Sequence, residues 1–350
     1  MAKLMSCKRI TIVISLISVL ICCMIVASAI GTISIPMPDI IKMSLNKLPV
    51  FDFMPTWPSR WEDIIFQVRL PRVVGGALVG AALSVAGVLF QGLLRNPLAD
   101  PYIIGTSAGA GLGAIVAMLL PLSLTFFGFG MVPVFAFIGA LATVTLVYNI
   151  AQVGGKTPVV SMLLAGFVVG SMLAALMYLL ITLFPERSFL RGGVLSFLGG
   201  SISVTSWWQL ATVTPLIISG IIVAWFHAPY LNAFSLGEEG AAYIGVEVER
   251  EKKLILILGA LLTAAAVSIS GLVGFVGLVV PHAMRLLLGP SHRLLILASA
   301  LAGSSFIVLT DLLARTVLAP REILIGVITA LVGAPFFLYL LRKHRREYTF

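Results

Sequence analysis

Apolar runs dominate the chain, and short clusters of Lys, Arg, Asp and Glu separate them. A helix of about 20 apolar residues crosses the ~30 Å hydrocarbon core of a bilayer, so the gaps between charges count the crossings. Ile10–Gly31 and Val73–Leu94 each predict one helix, and Pro101–Gly155 is long enough for two, with a break near Pro121–Pro133. Thr157–Pro185 predicts one helix, and Gly192–Gly237 one crossing plus a short extra helix. Leu254–Met284 is too long for one comfortable crossing and tight for two. Gly271, Gly274 and Gly277 in its middle predict two helices meeting at a tight bend. Leu294–Thr310 and Ile323–Leu341 complete the set. The pattern predicts an all-α membrane protein of about ten transmembrane helices in one bundle. Residues 1–350 form a single transmembrane domain, with 32–68 as an extracellular loop.

Composition agrees with the pattern. Hydrophobic residues make up 59% and charged residues 11% of the chain, against about 25% charge in a soluble domain. The net charge of +9 does not point to nucleic acid, because the basic residues sit in short clusters between apolar runs, as cytoplasmic loops do. With an even number of crossings, fourteen of the 23 Lys and Arg residues fall on the side of both termini, which predicts cytoplasmic termini. The other side keeps Lys42, Lys47, Arg60, Arg69, Arg72, Arg187, Arg191, Arg315 and Arg321. The N-terminus imitates a secretion signal, but Ile10–Gly31 exceeds the 7–15 residues of a signal core and reads as a retained first helix. Cys7, Cys22 and Cys23 lack metal-ligand or disulfide spacing and read as small apolar residues.

Small residues recur at helical spacing in Gly76/Gly80, Gly105/Gly109/Gly113 and Gly166/Gly170, which predicts close helix packing within one subunit. No ionisable residue falls near the middle of a predicted span. Ion-coupled carriers keep such residues there for use, so the energy source is expected outside this chain. Gly155-Lys156-Thr157 imitates the end of a phosphate-binding loop, yet Ile150 stands where that motif requires Gly.

Residues 232–252, containing Gly237-Glu238-Glu239-Gly240-Ala241-Ala242-Tyr243-Ile244-Gly245-Val246, are a polar interruption long enough to present a folded knob to a partner. This segment carries a resemblance, as do RLPRVVGGALVGAALSVAGVLFQGLLRNPLADPYIIGTSAGAGLG from Arg69 to Gly113, SGLVGFVGLVVPHAMR from Ser270 to Arg285 and RTVLAPREILIGVITALVGAP from Arg315 to Pro335. Along nearly its whole length the chain resembles the FecCD-type permeases of ferric-siderophore and vitamin B12 ABC importers. The resemblance implies a homodimer in the cytoplasmic (inner) membrane, two ATP-binding subunits on the cytoplasmic side and a substrate-binding protein outside. It implies no cofactor on this chain, since ATP and magnesium would sit on the partner. It implies that 232–252 couples to the ATPase, through Glu238, Glu239, Ala241, Ala242 and Gly245.

The outer arginines acquire a role on the same ground. Arg69 and Arg72 flank Pro71 at the expected start of the second helix, where a cation faces the positive end of the helix dipole and calls for an anionic partner. The resemblance implies that Arg69, Arg72 and Arg315 dock acidic groups of the binding protein. Lipid headgroups, and for Arg315 an i,i+4 pair with Asp311, are the structural alternatives. The resemblance also implies a cytoplasmic gate at Asn96 and Leu98, facing Val159 and Val160, where the B12 permease carries hydroxyl groups. His282 and Arg285 are expected to shape the inner mouth. The leading expectation is a permease for a ferric siderophore, haem or cobalamin. The alternative is an ion-coupled carrier or channel without an ATPase; an intramembrane enzyme lacks a catalytic constellation.

Overall fold

The computed structural model describes residues 2–31, 33–47, 53–120, 124–126, 128–184 and 193–343. Arg187, Arg191 and Pro121 lie outside the described residues. The fold is a bundle of α-helices. Among the described residues, seven helical spans are long and apolar enough to cross a membrane, and shorter apolar helices run from Thr106 to Leu119, Val276 to Leu288 and Ile325 to Tyr339. In chain order the elements are α1 (Ala2–Ala29), α2 (Met37–Leu45), α3 (Ser59–Asp63), a π-helical turn (Ile64–Arg69), α4 (Leu70–Leu93), α5 (Thr106–Leu119), α6 (Met131–Ala151) and α7 (Val159–Leu183). There follow α8 (Gly193–Gly199), α9 (Trp207–Phe234), α10 (Glu238–Tyr243), α11 (Val248–Ser270), α12 (Val276–Leu288), α13 (His292–Thr316) and α14 (Ile325–Lys343).

One boundary differs from the sequence expectation. The second span begins not near Arg69 but at Ser59 and continues unbroken to Leu93. Pro71 has no N–H and would leave a gap in a regular ladder. The wider turn at Ile64–Arg69 precedes it, so the helix carries on through the proline. Arg69 and Arg72 therefore lie inside a helix, and the dipole argument for an anionic partner does not apply to them.

Helix α4 is the hub, packing against α1, α9, α11, α12 and α13. Its sequence explains why. In lipid no hydrophobic force draws apolar helices together, so association rests on close approach of small residues. Gly80 meets Gly303 of α13, and a Cβ on Gly80 would lie 2.0 Å from the Gly303 carbonyl oxygen. Gly87 meets α12, where a Cβ would lie 1.9 Å from the Gly277 oxygen. Gly109 and Gly139 join α5 to α6 in the same reciprocal way, and Gly166 of α7 lies against Ile103 and Ile104. The outer helices keep bulky residues instead, such as the exposed Leu164, Phe167 and Met172 of α7.

The bend expected within Leu254–Met284 falls between Ser270 and Val276. Gly271 opens it at φ 63° and Phe275 closes it at φ 67°. Irregular backbone in a membrane protein must find its partners inside the protein. Here the Leu272 N–H donates to the Phe197 oxygen, Ser201 and Ser203 donate to the carbonyls of Ser270 and Ile269, and the Tyr102 hydroxyl bonds both polar groups of Val273.

Gly80→Ala is expected to lower thermal stability by at least the ~1–3 kcal/mol typical of overpacking, because backbone rather than a side-chain tip stands in the way. Gly130→Ala, at φ −70° with open space around it, is the control and is expected to be silent. Thermal unfolding of the purified protein in detergent measures both.

Candidate functional sites at the two ends of the bundle

Two polar clusters occupy opposite ends of α4. The first surrounds its arginines. Arg69 is buried, and its guanidinium donates to the carbonyls of Ser28, at 3.3 Å, and Ala29, at 2.8 Å, and to that of Ile33. Arg315, also buried, donates to the Ala27 carbonyl. The carbonyls of Ala27, Ser28 and Ala29 end α1 and have no helical partner of their own, so two arginines from distant parts of the chain cap it. Arg72 reaches the other way. Its Nε lies 2.9 Å from Asp311 Oδ1, and its two terminal nitrogens each lie 2.9 Å from an oxygen of Glu322. Asp311 is almost fully buried and is shared with Arg315, whose Nε lies 3.4 Å from Oδ2 as an ion pair without hydrogen-bond geometry. The i,i+4 pair is thus present, and the anionic partners of Arg72 come from within the chain. Glu322 is the member sequence reasoning missed. The hydrogen bonds from Arg72 hold its carboxyl below the usual value, against a smaller effect of burial.

The second cluster lies at the other end. Arg95, just past α4, lies beside Gly237, where α10 begins. Gly237 at φ 93° precedes the helix and Gly245 at φ 87° follows it. The Val246 N–H donates to the Ala241 oxygen and the Gly245 N–H to the Ala242 oxygen, the paired closure that needs a left-handed residue at that position. Gly245 therefore has a conformational reason to be glycine. Ala241 is fully buried and anchors α10 to the core, whereas Glu239, Ala242 and Gly245 are exposed. Tyr243 is 90% exposed and Ile244 62%.

Glu238 turns inward. Its Oε2 lies 2.7 Å from Lys252 Nζ, and the same ammonium donates to Glu249 at 2.9 Å and to the Thr157 carbonyl at 3.0 Å. Glu249 in turn accepts the Thr157 N–H at 3.0 Å. Sequence reading counted Lys252 as one more cytoplasmic charge; the only signal was its i,i+3 spacing from Glu249. Gly154 and Gly155, at φ 58° and 78°, form the two-residue turn of a small hairpin in which Val153 and Lys156 exchange backbone hydrogen bonds. That turn accounts for the glycines that imitated a phosphate loop.

Asn96 and Leu98 form a turn just beyond α4, with the Leu98 N–H donating to the Asn96 side-chain oxygen at 2.9 Å. Val159 and Val160 begin α7, Val159 partly packed on the core and Val160 67% exposed. His282 and Arg285 lie in the second half of α12. Asp100 follows the Asn96 turn, and its carboxyl accepts the Tyr102 N–H at 2.8 Å. Burial nonetheless pushes it up to about 6.

A bundle of apolar helices with ion pairs gathered at the two ends of its central helix has the form of a membrane-transporter subunit. The chain belongs to the FecCD transport family, whose model matches residues 18–343. It is 45% identical over 287 residues to the ABC transporter permease protein YvrB of Bacillus subtilis, spanning 81% of this chain and 80% of that one. It is 38% identical over 330 residues to the cobalamin import system permease protein BtuC of Halobacterium salinarum, spanning 90% of this chain and 87% of that one. A solved inward-facing structure of a metal-chelate type ABC transporter superposes with a TM-score of 0.80 at 29% identity, covering 95% of this chain and 99% of that one.

Asp311→Asn leaves two arginines around an uncharged amide, and breaking a buried pair costs about 3–5 kcal/mol. A correspondingly large drop in thermal stability is expected, measured in detergent. Asp100 predicts a pH effect. A carboxyl raised from its ordinary 3.8 to about 6 in the fold binds a proton more tightly there than in the unfolded chain. Its contribution to stability is thus present below pH ~4 and declines as pH rises towards ~6. Asp100→Asn keeps the acceptor oxygen and is expected to raise the unfolding temperature at pH 7.5 and flatten its pH dependence between 4 and 6.

Proposed function

We propose that this chain is the permease subunit of a binding-protein-dependent ABC importer for a metal chelate, working as a homodimer in the cytoplasmic (inner) membrane. Each subunit crosses ten times with both termini cytoplasmic, the seven long spans and three shorter apolar helices supplying the crossings. Nucleotide and magnesium bind the two ATPase partners, not this chain. The observation that carries the reading is α10. It is capped by glycine at both ends and anchored through Ala241, yet presents Tyr243, Ile244 and Leu236 unprotected outside the membrane spans. A rigid projection with exposed apolar side chains suits a protein partner; Glu239, Ala242 and Gly245 lie on its coupling surface, while Glu238 and Ala241 couple it to the bundle from beneath, as tether and anchor.

At the other end, Arg69, Arg72 and Arg315 underlie the docking face for the binding protein. Arg72 is the arginine that reaches the surface, through its bidentate pair with exposed Glu322. Asn96, Leu98, Val159 and Val160 form the cytoplasmic gate. The cobalamin importer and metal-chelate transporter among the similar proteins support a corrinoid, haem or ferric siderophore as cargo. An ion-coupled carrier is disfavoured because the ion pairs of the described residues are spent on capping and tethering.

The test is reconstitution in proteoliposomes with an ATPase subunit and a binding protein, offering radiolabelled cobalamin, ferric hydroxamate and haemin in turn. Replacing Glu238 and Glu239 together by Ala is expected to cut uptake per ATP hydrolysed by about tenfold, within the usual range of coupling energies. Unchanged uptake together with unchanged ATPase binding would overturn the importer reading.

A further inference from the structure

We propose that Lys252 is the joint through which movement of α10 reaches α7. The inference rests on the importer reading and concerns how the coupling surface drives the transmembrane helices. Three elements meet at one ammonium group: α10 through Glu238, α11 through Glu249 and Lys252 itself, and the segment entering α7 through Thr157. An ammonium has three N–H donors and no acceptor. All three are used here, at 2.7, 2.9 and 3.0 Å, with the side chain only 5% exposed.

The grip on Thr157 is double. Its N–H is held by Glu249 and its carbonyl by Lys252, so both polar groups of one backbone residue are bonded to α11. Thr157 is buried and precedes Pro158, which keeps it out of helical geometry. Pro158 then caps α7, and Val159 is its first helical residue. The residue clamped by Lys252 and Glu249 therefore lies one residue before the cap of the rigid helix that carries the gate valines. A displacement of α10 pulls Glu238. Glu238 pulls the ammonium, and the ammonium holds the start of α7. A solvated lysine on a loose loop would dissipate that pull, whereas a buried one with every donor engaged transmits it, because releasing any arm strands charge away from water.

A distance measurement tests the joint. In a joint, α10 and α7 move as one body, so the distance between spin labels at Tyr243→Cys and Leu164→Cys, both on exposed positions, stays the same with and without nucleotide; it is read in labelled chains shown to retain ATPase binding, because Tyr243 lies on the face proposed for that partner. Lys252→Met cuts all three arms. It is expected to leave the ATPase co-purifying and hydrolysing ATP, to lower uptake per ATP about tenfold, and to let the label distance change on nucleotide binding. Lys252→Arg, which keeps charge and donors, is expected to restore most of the coupling. Should Lys252→Met fail to assemble, Glu249→Gln, which spares the Lys252–Glu238 bond, and the label distance in the otherwise native chain decide the matter. The proposal is overturned if uptake per ATP in Lys252→Met stays within about twofold of wild type, or if the label distance already changes with nucleotide in the presence of Lys252. A native chain that neither binds an ATPase nor takes up any of the three chelates overturns the importer reading instead.

Discussion

Inside a bilayer no water relieves an unpaired polar group, and this constraint orders the rest of the structure. Each backbone group must be bonded within the protein, and each charge must be paired or moved to an end. Helix α4 meets the constraint by being almost wholly apolar along its buried length, with glycines placed where α13 and α12 approach to backbone contact at Gly80 and Gly87. The irregular stretch 271–275 meets it by borrowing partners from Tyr102 and the α8 end. The arginines meet it by turning towards the open carbonyls of α1. What begins as a solvation problem becomes the tertiary structure, since each solution ties together parts of the chain far apart in sequence.

The same economy gives the two ends different characters. At the α1 end, Asp311 and Glu322 neutralise Arg72, while Arg69 and Arg315 are consumed in capping. Within this cluster, the Arg72–Glu322 pair lies partly open. At the α10 end, charge is used to join elements: one lysine holds a surface helix, a long buried helix and the entry to a third. The first arrangement fixes a helix, and the second, on the proposal above, links moving parts. A rigid, closely packed α4 between them suits both, because a compliant core would absorb displacement before it crossed the bundle.

Much of this was legible in the sequence, and the exceptions share a cause. Charge-free stretches located the long helices because the bilayer sets their length directly. The bend at Gly271 showed because left-handed backbone asks for glycine. Family likeness, not spacing, pointed to Glu238 and Glu239. The start of the second span was misplaced because a π-helical turn leaves no residue signature and carries a helix through Pro71. Lys252 and Glu322 were missed because their meaning lies in partners 95 and 250 residues away, Thr157 and Arg72. On the surface of the sequence a joint and an ordinary cytoplasmic lysine look alike. Only burial separates them.

Cargo selection follows the same logic to a further step. A path that rejects one ligand for another by hydrogen bonding needs buried polar groups held ready along it, since an unpaired one then penalises the wrong ligand heavily, while apolar contact discriminates by only about 1–3 kcal/mol per methylene. Many polar side chains of the described spans, Thr143, Thr263, Ser270 and Ser304 among them, are committed to backbone carbonyls of their own or neighbouring helices. The gate proposed at α7 opens with two valines, which sort by size and shape rather than by chemistry. On the importer reading, two gate valines leave discrimination among corrinoid, haem and siderophore better suited to a component that meets the cargo in water. The permease then needs to respond to docking and to ATP, not to the identity of what it passes. The two ends of α4 are where the ion-paired clusters of this chain have been placed.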